Sequence, residues 1–173
     1  FAGGGNDYFL AEFDASSQQL LWSTFIGGTE VEFGSSSQGT HQLGTDNLGN
    51  LYFTGTTQSL STDNFPLMAH ANGGYFDNTA SVTSGNGIPF LSQFDISTRS
   101  LTWSTFFEGT GGTEVKAIDV SPDGNVFIGG TTKSSDLPYY ADPQEYFDNH
   151  SSPYADAEGL LINISPYREI NWL

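Results

Sequence analysis

The chain alternates between short runs in which apolar or aromatic residues take every second position and stretches rich in Gly, Ser, Asn and Asp. From Tyr8 to Phe13, the residues Phe9, Ala11 and Phe13 share one face while Leu10 and Glu12 share the other, the two-residue period of a strand. Leu20 to Ile26, about His41 to Thr45, and Leu51 to Thr56 give three more such runs, the second of these four centred on Trp22. Asp14-Ala15-Ser16-Ser17 and Asp46-Asn47-Leu48-Gly49-Asn50 are the turns between them. In the second half of the chain the last hairpin is cleaner: Ala117 to Val120, then Ser121-Pro122-Asp123-Gly124, then Asn125 to Gly130. Pro122 presets φ at the first turn position, and Gly124 accepts the positive φ that the reversal requires. No segment carries a helical period, so the chain is predicted to be all-β.

The pattern repeats. Phe9-Leu10-Ala11-Glu12-Phe13-Asp14 returns as Phe90-Leu91-Ser92-Gln93-Phe94-Asp95, and Leu21-Trp22-Ser23-Thr24-Phe25 returns at the same offset as Thr102-Trp103-Ser104-Thr105-Phe106. Gly27-Gly28-Thr29-Glu30-Val31 is aligned with Gly111-Gly112-Thr113-Glu114-Val115, and Gly49 to Thr57 with Gly124 to Thr132. Tyr75-Phe76-Asp77-Asn78 reappears intact as Tyr146-Phe147-Asp148-Asn149. A third copy begins, with Leu160 to Ser165 in the place of Phe90 to Asp95 and Ile170-Asn171-Trp172 in that of Leu101-Thr102-Trp103. Phe1 to Gly5 reads as the tail of a preceding copy. Both ends interrupt a repeat, so the sequence is expected to be a piece of a longer protein.

Four short antiparallel strands per copy suggest one β-propeller blade per copy. An F-x-x-x-F-D strand, W-S-T-F, a G-G loop, D-x-x-G-N and a hydrophobic strand ending in T-G-T-T resemble the SBBP β-propeller repeat of bacterial secreted proteins. The first copy departs from the second by six extra residues between its Trp and its Gly-Asn turn (22 to 50, against 103 to 125). Ser134-Ser135-Asp136-Leu137-Pro138 matches the family's S-x-D-F-P ending, and Asp63-Asn64-Phe65-Pro66 follows it more loosely. The expected division is 1–6 as the tail of a preceding repeat, 7–86 and 87–155 as two complete blades each with a long connecting loop, and 156–173 as the start of a third. The resemblance implies an extracellular, cell-surface scaffold and carries no catalytic residues to transfer. Two blades cannot close a ring, which takes roughly four to eight; neighbouring blades, of the same or a partner chain, are the first expected partners.

Composition narrows the function. Twenty acidic residues against four basic ones give a formal charge of −16, which argues against a phosphate-binding footprint and hence against nucleic acid. It argues equally against docking on anionic lipid, and no apolar run approaches the ~18 residues of a membrane span. With no cysteine, disulfide frameworks, thiolate zinc sites and cysteine nucleophiles are excluded. An aromatic content of 14% supplies a packed interior.

If the strands alternate in direction, the long connections and the G-G loops gather on one upper face, rich in carboxylates that include Glu30, Glu32, Asp63, Asp77, Glu108 and Glu114. Asp77, Asn78, Asp148 and Asn149 offer hard oxygen ligands for Ca²⁺, against the simpler reading of Asx turns. Glu30 and Glu114, each following Gly-Gly, and the loop tyrosines Tyr139, Tyr140, Tyr146 and Tyr154 are candidates for partner or glycan contact. The repeated Trp22, Trp103 and Trp172 fit blade packing better than sugar stacking. Asp119 to Asn125 has part of a calcium-loop spacing without its downstream glutamate, and reads as a hairpin turn. The three histidines are not repeat-equivalent, and no GxSxG, HExxH or P-loop pattern occurs. The sequence therefore points to a non-catalytic scaffold for adhesion, display or docking. Its expected partner is a surface, secretion or motility apparatus protein or a glycan. A Ca²⁺-assisted carbohydrate-binding propeller and a fragment of a propeller glycosidase or lyase are the alternatives.

Overall fold

The computed structural model describes residues 3–33, 42–80, 87–134, 136–137 and 157–172. Within them the chain is all-β apart from a single 3-10 turn, Ser61–Asp63. Strands β1 (Tyr8–Phe13) and β2 (Leu20–Ile26) form a two-stranded antiparallel sheet. The second sheet holds β3 (Glu32–Phe33), β4 (Leu43–Thr45), β5 (Asn50–Thr57), β6 (Ile88–Asp95) and β7 (Ser100–Phe106). Here β3 and β4 line the same edge of β5, so this sheet is four strands wide. The third sheet runs in the order β8 (Thr113–Val120), β9 (Val126–Thr132), β10 (Glu158–Ile164), β11 (Ile170–Trp172). Antiparallel sheets of four strands are what propeller blades require.

The sheets are out of phase with the sequence repeat. Residues 7–86 were expected to fold as one blade and 87–155 as the next; instead β1 and β2 stand apart from β3 to β5, and β5 pairs along its whole length with β6 of the following copy, from Asn50↔Asp95 to Thr57↔Ile88. A tandem repeat fixes the period but not the point where one sheet hands over to the next. The handover falls in the short segment after β2 and after β7, while the long connection that follows β5 stays within its own sheet. The expected third strand near 41–45 is likewise divided. Its counterpart β8 is continuous but slips register at Lys116, between Val115 and Ala117, and the extra residues of the first copy enter at that same point, between Phe33 and Leu43.

Each hairpin at the opposite end of the sheets is built alike. In β1–β2, β6–β7 and β10–β11 the register slips just before the turn, a bulge that aims the chain into a left-handed residue: Gln18, Arg99 and Arg168, at φ 56, 56 and 65°. Asp14 and Asp95 hold the first two of these turns through their Oδ1 atoms, which accept from Ser16 N and Ser17 N and from Thr98 N respectively. Ser165 does the same in the third, accepting from Tyr167 N and Glu169 N.

Sheets pack face to face. Phe90, Phe94 and Phe106 on one side of the second sheet, with Phe53 and Phe65, meet Leu10, Tyr8 and Trp22 of the first. On its other side Tyr52, Leu91 and Trp103 meet Val115, Ile118, Val126, Ile128, Leu160, Ile162 and Ile164 of the third. Because β6 is covered on both faces its polar residues are paired internally: the Ser92 and Ser104 hydroxyls lie 2.9 Å apart, and Gln93 Oε1 accepts from Arg168 Nη1 at 3.1 Å. Tyr8 reaches across from the first sheet, its hydroxyl donating to Thr56 O and accepting from Thr56 N at 3.0 Å. Its ring lies over Gly55, where a Cβ would fall 2.4 Å from the Tyr8 hydroxyl.

Phe90 is the test of this interior. It is fully buried and in ring contact with Tyr8, Phe53 and Phe65. Phe90→Ala is expected to lower unfolding free energy by about 3–5 kcal/mol in denaturant titration. Leu161→Ala, on an exposed strand face, should change it by less than about 1 kcal/mol.

Candidate functional site

The end of the sheets where β2, β5 and β7 finish carries the segments singled out for their acids. Two of these segments, after β2 and after β7, are held by the same contacts. Glu30 N donates to Ser59 Oγ at 3.0 Å and Gly111 N to Ser134 Oγ at 2.9 Å; Gln58 N donates to Val31 O and Lys133 N to Gly112 O, both at 2.9 Å. Gly28 and Gly109 each sit where a Cβ would strike Ser59 or Ser134. The structural partner of Glu30 is therefore Gly111, and that of Thr113 is Glu32, which occupies the same register opposite Thr57 as Thr113 does opposite Thr132. The apparent Gly-Gly-Thr-Glu-Val repeat is three residues out of register, and Glu30 and Glu114 are not equivalent. Glu30 is exposed, whereas Glu114 is half-buried and ion-paired with Lys116.

Asp77 lies on the outer edge of β7, beside Phe106 at the end where that strand finishes. After Phe65 the chain turns back along the outer edge of β7, where Met68 and Ser104 exchange backbone hydrogen bonds at 3.0 and 2.9 Å. It reaches the far end of the sheet, where Tyr75 N donates to Arg168 O at 2.7 Å, and returns with Phe106 N donating to Asp77 O at 3.0 Å. The Trp103 indole N–H donates to Tyr75 O at 3.0 Å. An open strand edge is a row of unmet donors and acceptors, and this segment meets them. The Asp77 carboxylate is taken up locally, accepting from Thr79 N at 2.8 Å and from the Thr79 hydroxyl at 2.7 Å, and Asn78 is exposed. Tyr139, Tyr140, Tyr146, Asp148, Asn149 and Tyr154 lie outside the described residues. Among the described residues no group of three or more His, Asp or Glu side chains is placed to hold a metal ion.

Two features escaped the sequence reading. The first is a buried carboxyl pair. Glu32 is 4% exposed; its Oε1 accepts from Gly28 N at 3.2 Å, Thr57 Oγ1 at 2.8 Å and Ser59 Oγ at 2.7 Å. Its Oε2 is buried without a hydrogen-bond donor, and Asp7 Oδ1 is buried beside it. Both oxygens lie 2.4 Å from where a Cβ on residue 27 would stand, so the glycine makes the space the two carboxyls share. Burial pushes the Glu32 carboxyl above its ordinary value, against the pull of its three donors, and the Asp7 carboxyl adds to the rise. A protonated Glu32 would have a hydrogen to donate to the Asp7 oxygen beside it.

The second is a clasp between sheets. Arg99 Nε meets Glu12 Oε2 at 3.0 Å across the first junction, and Arg168 Nη1 meets Gln93 at the equivalent place in the second. The repeat already puts both arginines in the same turn and Glu12 and Gln93 at the same strand position, so the signal is present in the sequence. What the sequence lacked was the phase of the sheets, which turns these into contacts between neighbours.

Residues 102–138 match the family model SBBP, described as a beta-propeller repeat. The chain carries a β-propeller repeat. No curated protein matches the chain. The matched stretch starts in β7, crosses to β8 and β9 and ends just past Leu137, so the family's unit, like the internal repeat, bridges two sheets. Its Ser-Ser-Asp-Leu ending works as a lock: Ser134 and Asp136 accept from Gly111 N and Thr110 N at 2.9 and 2.8 Å, and Leu137 is buried in the core. Phe65 fills the corresponding place in the previous copy of the propeller repeat, 4.8 Å from Phe90.

The carboxyl pair gives a pH signature. In the unfolded chain Glu32 ionises at its ordinary value, 4.5; in the fold it holds its proton to higher pH. Its stabilising contribution is complete below that ordinary value and lost as pH rises through the raised one. Glu32→Gln keeps the three bonds to Oε1 and offers Asp7 an N–H. It is expected to flatten the fall in stability toward neutral pH and to raise stability at pH 7 by about 1 kcal/mol. Denaturant titrations of both proteins across that range check it; a variant with an unaltered pH profile would rule the pair out as its source.

Proposed function

We propose that the chain is a non-catalytic scaffold segment of a secreted or surface-displayed bacterial β-propeller protein, serving adhesion, display or docking, and that further blades cover its two outer faces. One comparison carries this reading. Phe9 and Phe25 on the open face of the first sheet are 55% and 51% exposed, while Phe90 and Phe106, their counterparts one sheet on, are both at 0%. At the opposite end Leu161 is 52% exposed against 0% for its counterpart Leu91. The same side chains are interior wherever a neighbouring sheet is present and solvated where none is, and apolar patches of this kind mark interfaces.

The chemistry available on the surface favours a structural role over catalysis. Carboxylates at Asp14, Asp46, Asp77 and Asp95 are engaged with hydroxyl or backbone donors of their own turns, which leaves them as local braces. Asp14 is held down to about 2 by the Ser16 hydroxyl and the Ser17 donors, so it remains an anion at any physiological pH. A net charge of −16 on a chain with four cations suits a protein kept soluble outside the cell.

A scaffold with two open faces associates through them. In sedimentation velocity the chain is expected to self-associate with rising concentration. The double variant Phe9→Ser/Phe25→Ser is expected to weaken that association at least about tenfold while shifting the melting temperature by no more than a few degrees. A chain that stays monomeric at all concentrations, with Phe9 and Phe25 solvated, would overturn the reading.

A further inference from the structure

Between the first and second sheets lies an apolar groove of about 190 Å³, lined by Leu10, Trp22, Leu43, Leu51 and Phe94, with the Glu12–Arg99 ion pair alongside. The next junction has the same walls. Leu91, Trp103, Ile118, Val126 and Ile164 stand at the equivalent positions, and there a further side chain joins them in one buried cluster: Tyr52, 3% exposed. Tyr52 comes from β5, the strand hydrogen-bonded to the edge of β6, and sits opposite Gln93 in the register. Gln93 is the counterpart of Glu12. Phe127, opposite Asn163, repeats the arrangement on β9 and β10.

The geometry points to a strand-docking site on the edge of β1 that no described strand covers. We infer that it accepts one extended strand of the β5 type, antiparallel to β1, with an aromatic residue opposite Glu12 whose ring seats in the groove. Glycine three residues after the aromatic would face Phe9, as Gly55 faces Phe90 and Gly130 faces Leu160. The occupant is a strand from a further repeat of the same kind. A second copy of the described sheets does not supply it, because β5 is paired on both sides, by β3 and β4 and by β6, and β9 by β8 and β10. Main-chain hydrogen bonds would give the affinity and the aromatic pocket the register, the division of labour usual when a sheet edge takes up a peptide. Charge agrees: the Glu12–Arg99 pair, about 40% solvated at each side chain, becomes covered as Gln93 and Arg168 are, with its charges already matched. This assignment rests on the scaffold reading and adds what a neighbouring repeat would present.

The test uses the intact chain and a synthetic peptide with the sequence of residues 49–57, GNLYFTGTT. Titration calorimetry is expected to give one site per chain, with binding at least about tenfold weaker for the peptide bearing Ala in place of its Tyr. Leu43→Trp, which fills the groove from the second sheet at a half-exposed position, should abolish binding without unfolding the chain. Amide exchange should show protection appearing along β1. Equal binding of the two peptides, binding unaffected by Leu43→Trp, protection confined to other strands, or no binding at all to a folded chain would each overturn the groove assignment. A chain that still self-associates through Phe9 and Phe25 while ignoring the peptide would leave the scaffold reading standing; one that binds the peptide yet never associates would leave the groove and remove the scaffold.

Discussion

Face-to-face packing of side chains, rather than strand pairing, is what joins one sheet of this protein to the next, and the rest of the structure is arranged to let it happen. Among the described strands none pairs with a strand of a neighbouring sheet, so cohesion between sheets comes from apolar area removed from water, with a few polar stitches such as the Tyr8 hydroxyl on Thr56. Non-directional burial of that kind tolerates the exchange of Phe90 for Leu160 or of Phe65 for Leu137 between copies. It does not tolerate loss of the flat approach. Gly55 shows the constraint: any side chain there would displace the Tyr8 ring that crosses from the sheet before it.

The strands, their pairing into hairpins and the packing role of Trp103 were readable because each is local. A period of two places Trp103 on a strand face, and a repeat at constant offset makes the hairpins recognisable in pairs. The phase of the sheets was not readable. Whether the β1–β2 hairpin or the β6–β7 hairpin shares a sheet with β5 is a choice between two non-local arrangements with the same local pattern, and the sequence repeat has no term that distinguishes them. The same gap explains the misplaced Gly-Gly-Thr-Glu-Val correspondence. Five matching letters outweighed the count of residues from Phe25 and from Phe106, whereas the chain obeys the hydrogen bonds of Ser59 and Ser134, which fix Gly28 on Gly109. The Asx turn expected at Asp77 is present, its Oδ1 accepting from Thr79 N; what the sequence does not show is that the connection before it runs along the edge of β7, because the demand of that edge for partners is non-local.

The electrostatic character follows from where the acids are spent. Asp14, Asp46 and Asp95 brace turns, and Glu32 and Asp7 share a buried space, so these acids act within the fold. The few cations tell more. Arg99 and Arg168 occupy left-handed backbone positions, a conformation that disfavours any residue with a Cβ by roughly 1 kcal/mol relative to glycine. Glycine would suit the turn better and could not reach the neighbouring sheet. The guanidinium's bond to Glu12 or Gln93 offsets the strain, so these arginines are placed for the junction between sheets and not for the hairpin that carries them.

Variation between the copies enters at one place. Where β8 bulges at Lys116, the first copy inserts its additional residues between Phe33 and Leu43, and the strand resumes in register, Leu43 opposite Phe53 as Ile118 is opposite Ile128. That point lies, among the described strands, on the outermost strand of its sheet. An insertion there disturbs neither the hydrogen bonds of β5 to β6 nor the aromatic layer between sheets, whereas the same residues added within β6 would push Phe90 or Leu91 out of a filled interior. A stack of such sheets can therefore change its outer rim from copy to copy while its junctions stay alike, which is the property a display scaffold needs.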